Sequence, residues 1–345
     1  MAVNNGFVND EGIRMDSKAK TEANIHGKVD SYRKTYAISS RNVLVIVVIL
    51  LIFVAFSSFT TNLVVFSGVS RIENTLLHVE MMDMKERETI NDYSYSEQAF
   101  WFQNYAVCSG NQQSPISIIT EFTEARNTSS ISVYEPEVVS VTVKNNGHTY
   151  MVIPHPAPSF SSGTLGSKNY TLAQMHFHWK SEHWVDRKQY ILELHLVTYS
   201  SSYPDLTSAL GNKAAAVFGL LFEECTACEN RAYDKMFSVI DKVIEAGEEI
   251  KLTGDELKSF WTTGFYENMI DSYAKEWYHY NGSLTTPPCT EGIDWNVFRG
   301  RTKVPATYIK RLQTLKEKNG ALMIWDYRMP QLLQYRTVEL MKSNK

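Results

Sequence analysis

The chain has 345 residues, a formal net charge of −4 and 43% apolar residues. That length holds one large domain or two modest ones, and the apolar share supplies a sizeable core. The small negative charge and the lack of a basic run interleaved with aromatics remove the electrostatic case for nucleic acid, and no glycine-rich phosphate loop or His-Glu-x-x-His helix is present.

Residues 1–41 are polar, mixed in charge and without apolar periodicity, which predicts a disordered cytoplasmic tail. From Asn42 to Ser70 there is no charged residue, and Val43 to Phe66 is strongly apolar. A bilayer needs about 20 such residues, so 42–70 reads as a transmembrane signal anchor. Lys28, Arg33, Lys34 and Arg41 precede it, whereas residues 71–84 hold only Arg71. The positive side stays in the cytosol, which predicts a single-pass type II protein with its C-terminal bulk extracellular or lumenal. Residues 71–92, with Ile72, Leu76, Val79 and Met82 at helical spacing, read as a short stem.

Residues 93–338 change to short strand-like runs separated by turn residues, and 339–345 read as a tail. Ile131–Val133, Val138–Val143, Tyr150–Ile153, Met175–Trp179 and Tyr190–Tyr199 alternate as strands do, and Asn145-Asn-Gly147 is a hairpin turn. Helical spacing is confined to patches such as Lys235–Ala246 and Ala306–Leu315. The predicted class is β-dominated α+β: one domain on a large, twisted, mostly antiparallel sheet with short peripheral helices.

Four cysteines are present, and a lumenal domain permits disulfides. They allow three pairings, among which the spacing does not choose. For Cys225-x-x-Cys228 a local or an intermolecular disulfide is preferred to a zinc half-site, because no second half-site exists. A dimer through the stem or through this pair stays open. Sequons start at Asn127, Asn169 and Asn281. Asn127 is expected to carry a glycan, and Asn281 to stay bare because it lies four residues before Thr285.

Three histidines carry the chemistry. His176 and His178 are two apart, so on a strand they share a face. His195, in Glu193-Leu-His-Leu-Val197, can reach that face from a neighbouring strand. Three imidazoles are the ligand set of an open catalytic Zn2+ site. Gln174 and Glu193 each precede a ligand by two residues and point to the same face, where they can orient the imidazoles.

Met175-His-Phe-His-Trp179, Ser181-Glu-His183, Tyr190-x-x-Glu-Leu-His-Leu-Val197, Gly282-Ser-Leu-Thr-Thr-Pro-Pro288, Asn145-Asn-Gly-His148, Gln113-Ser-Pro-Ile116 and Trp295 follow one another in an order that resembles the α-class carbonic anhydrases. The likeness runs from about Tyr93 to Arg336. It implies reversible hydration of carbon dioxide to bicarbonate and a proton by a zinc-bound hydroxide held by His176, His178 and His195. Thr285 would donate a hydrogen bond to Glu182 and orient the nucleophile, and Thr286 would line the mouth. His148 matches the proton shuttle. Val197, Val217, Leu284 and Trp295 match the apolar wall beside carbon dioxide, and Tyr95 a tyrosine of the water network. Cys108 and Cys289 match a disulfide of secreted and membrane-bound members. The chain departs from the pattern at Lys180, which replaces a glycine loop, and at Met151, where many members carry a polar residue. The alternative to the enzyme is a catalytically silent carbonic anhydrase-like binding module. Such relatives lack one or more of the zinc histidines, and all three are present here. Hydrolysis of activated esters by the same centre reads as a side activity.

Overall fold

The computed structural model describes residues 93–344, apart from positions 167, 227 and 229. The predicted tail (1–41), anchor (42–70) and stem (71–92) lie outside the described residues, and among those described no helix is long and apolar enough to cross a membrane.

The strands in chain order are β1 (Ser117–Ile118), β2 (Glu124–Thr128), β3 (Ser132–Tyr134), β4 (Ser140–Asn145), β5 (Tyr150–His155), β6 (Ser159–Ser161), β7 (Tyr170–His178) and β8 (Trp184–Val185). They continue with β9 (Lys188–Gln189), β10 (Leu192–Ser200), β11 (Ala215–Cys225), β12 (Glu249–Leu252), β13 (Glu276–Ser283), β14 (Glu291–Pro305) and β15 (Glu339–Ser343). One large sheet runs β12-β4-β5-β7-β10-β11-β14-β13-β15-β2, with β6 beside β7 and β3 beside β6. Its neighbours are antiparallel except β11 with β14 and β15 with β2. The predicted sheet-dominated fold with short helices is therefore the observed one.

The sequence explains the layering. On β7 and β10, Met175, Phe177, Leu194 and Leu196 alternate with the polar residues and enter one core, together with Phe218, Leu220 and Phe222 of β11. The opposite face holds a second core with Val197, Val217, Leu221 and Trp295. β11 is buried on both faces and has a parallel neighbour, which is why it reads Ala-Ala-Val-Phe-Gly-Leu-Leu-Phe without alternation.

Three expectations are corrected. The helix expected over 235–246 ends early: Arg231–Phe237 is helical, and Ile240–Lys242 is a separate single turn. Met236, Phe237, Ile240 and Val243 are nevertheless all buried, so the apolar spacing marked burial rather than one continuous helix. Residues 339–345 are not a tail, because Glu339–Ser343 is β15, hydrogen-bonded between β13 and β2. Asn281 does not pack towards the site: its side chain is exposed, although Gly282 and Ser283 beside it are buried. Accessibility therefore does not exclude a glycan there. The helix expected over 306–315 spans Thr307–Leu312, and Asn145-Asn-Gly147 does turn β4 into β5, with Gly147 at φ +87°.

Cys108 is bonded to Cys289 across 181 residues of sequence, and Cys225 to Cys228. No cysteine is free among the described residues, so the structure provides no thiol at 225 or 228 for an intermolecular bridge.

Phe177 is fully buried between two candidate ligands and faces the core. Phe177→Ala is expected to cost about 3–5 kcal/mol in chemical denaturation. Phe122→Ala, at a residue 78% exposed, should stay within about 0.5 kcal/mol. Equal losses would contradict this placement of the core.

Candidate metal centre

The register of two strands assembles the site. β7 and β10 pair His176 with His195 and His178 with Glu193. Gln174 lies opposite Val197, which lies opposite Val217, which lies opposite Trp295. His176, His178 and His195 converge, with their ligand nitrogens within 4.8 Å of one another. His178 and His195 are buried, and His176 is partly exposed.

Each ring is held from behind by a group that accepts a hydrogen bond. His176 Nδ1 donates to Gln174 Oε1 at 2.8 Å, His178 Nδ1 to the Asp326 carbonyl at 2.6 Å, and His195 Nε2 to Glu193 Oε1 at 2.8 Å. With those nitrogens protonated, His176 Nε2, His178 Nε2 and His195 Nδ1 present lone pairs to the centre. Burial, followed by the neighbouring imidazoles His178 and His195, pushes His176 well below its ordinary pKa, and burial likewise lowers His178. Neutral rings are the form that binds metal.

The centre fits a cation. His176 Nε2 and His178 Nε2 face each other at 3.0 Å. Glu182 Oε2 is buried without a hydrogen-bond partner, 3.3 Å from His178 Nε2 and 3.9 Å from His195 Nδ1. Lone pairs and a carboxylate oxygen this close repel unless a proton or a metal ion lies among them. Three imidazoles suit zinc.

The other expected residues divide by position. Val197, Val217 and Trp295 are buried in one apolar cluster, with Leu284 packed against it, and the Trp295 ring is 4.8 Å from that of His195. Thr285 is buried and Thr286 partly exposed in the turn after β13. No hydrogen bond joins Thr285 to Glu182, contrary to expectation; Glu182 Oε1 accepts the Arg328 N–H, and Oε2 turns to the histidines instead. His148 sits in the β4–β5 turn, where Asn146 Oδ1 accepts its N–H, and its ring stacks on Tyr93 at 3.9 Å. Tyr95 is buried beside Tyr93, and burial raises its phenol well above the ordinary value. Met151 pairs with His176 across β5 and β7.

Several supporting groups were not expected. His183 Nδ1 donates to Glu193 Oε1 at 2.7 Å, and its Nε2 lies 2.7 Å from the Tyr280 hydroxyl. Tyr280 in turn meets Ser114 Oγ, which accepts the Ser283 N–H. Burial works against the Glu193 charge, yet His183 and His195 hold its carboxyl well below the usual range. Gly219, opposite His195, leaves room for the Glu193 carboxylate, since a Cβ there would lie 3.1 Å from Glu193 Oε1, tighter than ordinary contact. The Ser181-Glu-His183 motif signalled His183, but nothing local to Asp326 marks its carbonyl as a partner.

A mostly antiparallel sheet with three inward imidazoles, each oriented from behind, is the architecture of a metal-dependent enzyme. The family model for eukaryotic-type carbonic anhydrases matches residues 96–342, and the chain belongs to that family. It is 31% identical to carbonic anhydrase 6 of Homo sapiens over 74% of this chain and 84% of that protein. It is 30% identical to carbonic anhydrase 6 of Bos taurus, over 72% and 80%, and 29% identical to carbonic anhydrase 12 of Homo sapiens, over 62% and 60%.

Removing an orienting group should loosen the metal. Gln174→Ala and Glu193→Ala are each expected to weaken zinc binding by about 10–100-fold in competition with a chelator. Unchanged affinity in both variants would contradict the roles assigned to these hydrogen bonds.

Proposed function

We propose that the chain hydrates carbon dioxide reversibly to bicarbonate and a proton, with zinc held by His176, His178 and His195. The observation that carries this reading is the convergence of three imidazole lone pairs beside an apolar wall. Zinc bound there would supply a hydroxide nucleophile near neutral pH, a property for which carbonic anhydrase is the standard example.

This chain's residues do the remainder. Gln174, Asp326 and Glu193 fix the ring orientations. Val197, Val217, Leu284 and Trp295 offer a small nonpolar substrate a dry surface next to the metal. Glu182 presents its free oxygen to the centre, and Thr285, buried in the turn after β13, would donate to Glu182 and so orient a nucleophile supplied by the zinc. His148, half-buried and stacked on Tyr93, carries the released proton to buffer, since imidazole titrates near neutral pH. Met151 offers no hydrogen bond to ordered water, so this relay should be slower than one with a polar residue there.

The proposal extends to topology: a cytoplasmic tail, one crossing at 42–70 and a domain outside the cytosol. The uncharged run, the asymmetric basic flanks and two disulfides support it.

Stopped-flow carbon dioxide hydration should be fast for the wild type and lost in His176→Ala. No hydration by folded, zinc-loaded protein would favour the silent binding module. His148→Ala should cut turnover about 100-fold in dilute buffer and recover with added imidazole. Tyr93→Ala should give a partial version of that loss. A His148→Ala loss that imidazole does not relieve would remove the shuttle role. Topology is checked at Asn127, which is exposed on edge strand β2. A glycan removable by endoglycosidase is expected there, and an unmodified Asn127 with reduced cysteines would place the domain in the cytosol.

A further inference from the structure

His279, on β13, stands outside the metal centre. It points away from the face that Tyr280 and Trp295 share, because strand side chains alternate. Its Nε2 lies 3.0 Å from Asp294 Oδ1 on β14, and its Nδ1 lies 3.2 Å from Glu339 Oε2 on β15. Ionised carboxylates only accept, so a ring with both nitrogens against carboxylates keeps both contacts only when each nitrogen carries a proton.

The neighbouring charges continue the chain of contacts. Arg126 on β2 meets the other Glu339 oxygen at 2.6 Å and also Glu124 at 3.3 Å. Asn296 donates to Asp294 Oδ1 at 3.0 Å and accepts from Thr164 at 3.0 Å. Tyr170 on β7 is near Asp294, and its phenol is raised by burial and then by that charge, so it stays neutral. Further along, Glu276 of β13 and Lys342 of β15 pair with each other at 3.8 Å. One imidazolium thus ties β13 to β14 and β15, and Arg126 carries the chain of contacts on to β2.

We propose that His279 is a proton-operated clasp holding the C-terminal strand β15 and strand β14 to β13, closed when the imidazole carries two protons and loosened when it gives one to solvent. On deprotonation, one ring nitrogen turns a lone pair towards a carboxylate, and an attraction becomes a repulsion. β13 ends at Ser283 and leads directly into Leu284 and Thr285, so the clasp steadies the strand that delivers the pocket turn. Burial alone would lower the imidazole pKa, but Asp294 and then Glu339 outweigh it and hold it above its ordinary value. A histidine raised in the folded state stabilises fully below its unfolded value of about 6.5 and loses that contribution as pH rises through the folded value.

The test compares the full-length wild type with His279→Gln by thermal unfolding at a series of pH values. The wild type should lead by about 2–4 °C below pH ~6.5, and the lead should vanish at alkaline pH. Hydrogen exchange at 339–343, corrected for intrinsic rates, should quicken over the same range in the wild type alone. Glu339→Gln, which keeps the histidine, should move the transition to lower pH. A lead that is constant with pH, or a transition that Glu339→Gln leaves in place, would overturn the clasp.

Discussion

Glu193 is a fully buried carboxylate, and each of its oxygens accepts two hydrogen bonds. Oε1 takes His195 Nε2 and His183 Nδ1, and Oε2 takes the backbone N–H groups of Glu182 and His183. A buried charge is tolerable only when it is satisfied in this way. That requirement places His195 with Nδ1 forward, holds the 182–183 turn against β10, and so aims Glu182 at the metal centre. It also reaches the far wall, because His183 continues through Tyr280 and Ser114 to Ser283, beside the turn that carries Thr285.

The sheet makes such a network affordable in structural terms. Cross-strand register places ligands, orienting groups and the apolar wall in adjacent rows, so neighbouring residues on one face differ in chemistry without a loop having to fold over them. The opposite face contributes only packing, through Met175, Phe177, Leu194 and Leu196. Ligand geometry and core stability therefore share backbone but not side chains. The disulfide between Cys108 and Cys289 packs with Tyr95 and Trp101, and Tyr93 joins that cluster while stacking on His148.

Much of this was legible in the sequence because period-two alternation and register are local rules. His176, His178, Gln174, Glu193 and His195 could be placed on one face from spacing alone, and Val197, Val217 and Trp295 needed the motif resemblance to be read as a wall. What stayed hidden depends on distant backbone. The carbonyl of Asp326 orients His178 from 148 residues away, a role any residue type could fill. The direction of Glu182 Oε2 follows from the Arg328 N–H taking Oε1. β15 was missed because Glu339–Ser343 is a short run at the end of the chain whose burial comes from β13 and β2. The early end of the helix at Phe237 shows that helical spacing reports a buried stripe, which a short helix and a separate turn satisfy as well as one long helix.

The chemistry proposed for this centre requires that three neutral imidazoles, and no other protein group, hold one zinc ion. X-ray absorption at the zinc edge, on full-length chain loaded with one equivalent, tests it most directly. Three nitrogen neighbours and one oxygen from solvent at about 2.0–2.1 Å are expected, with the nitrogen count falling to two in His195→Ala. A sulfur neighbour, or a first shell that includes the Glu182 carboxylate and excludes solvent, would contradict it.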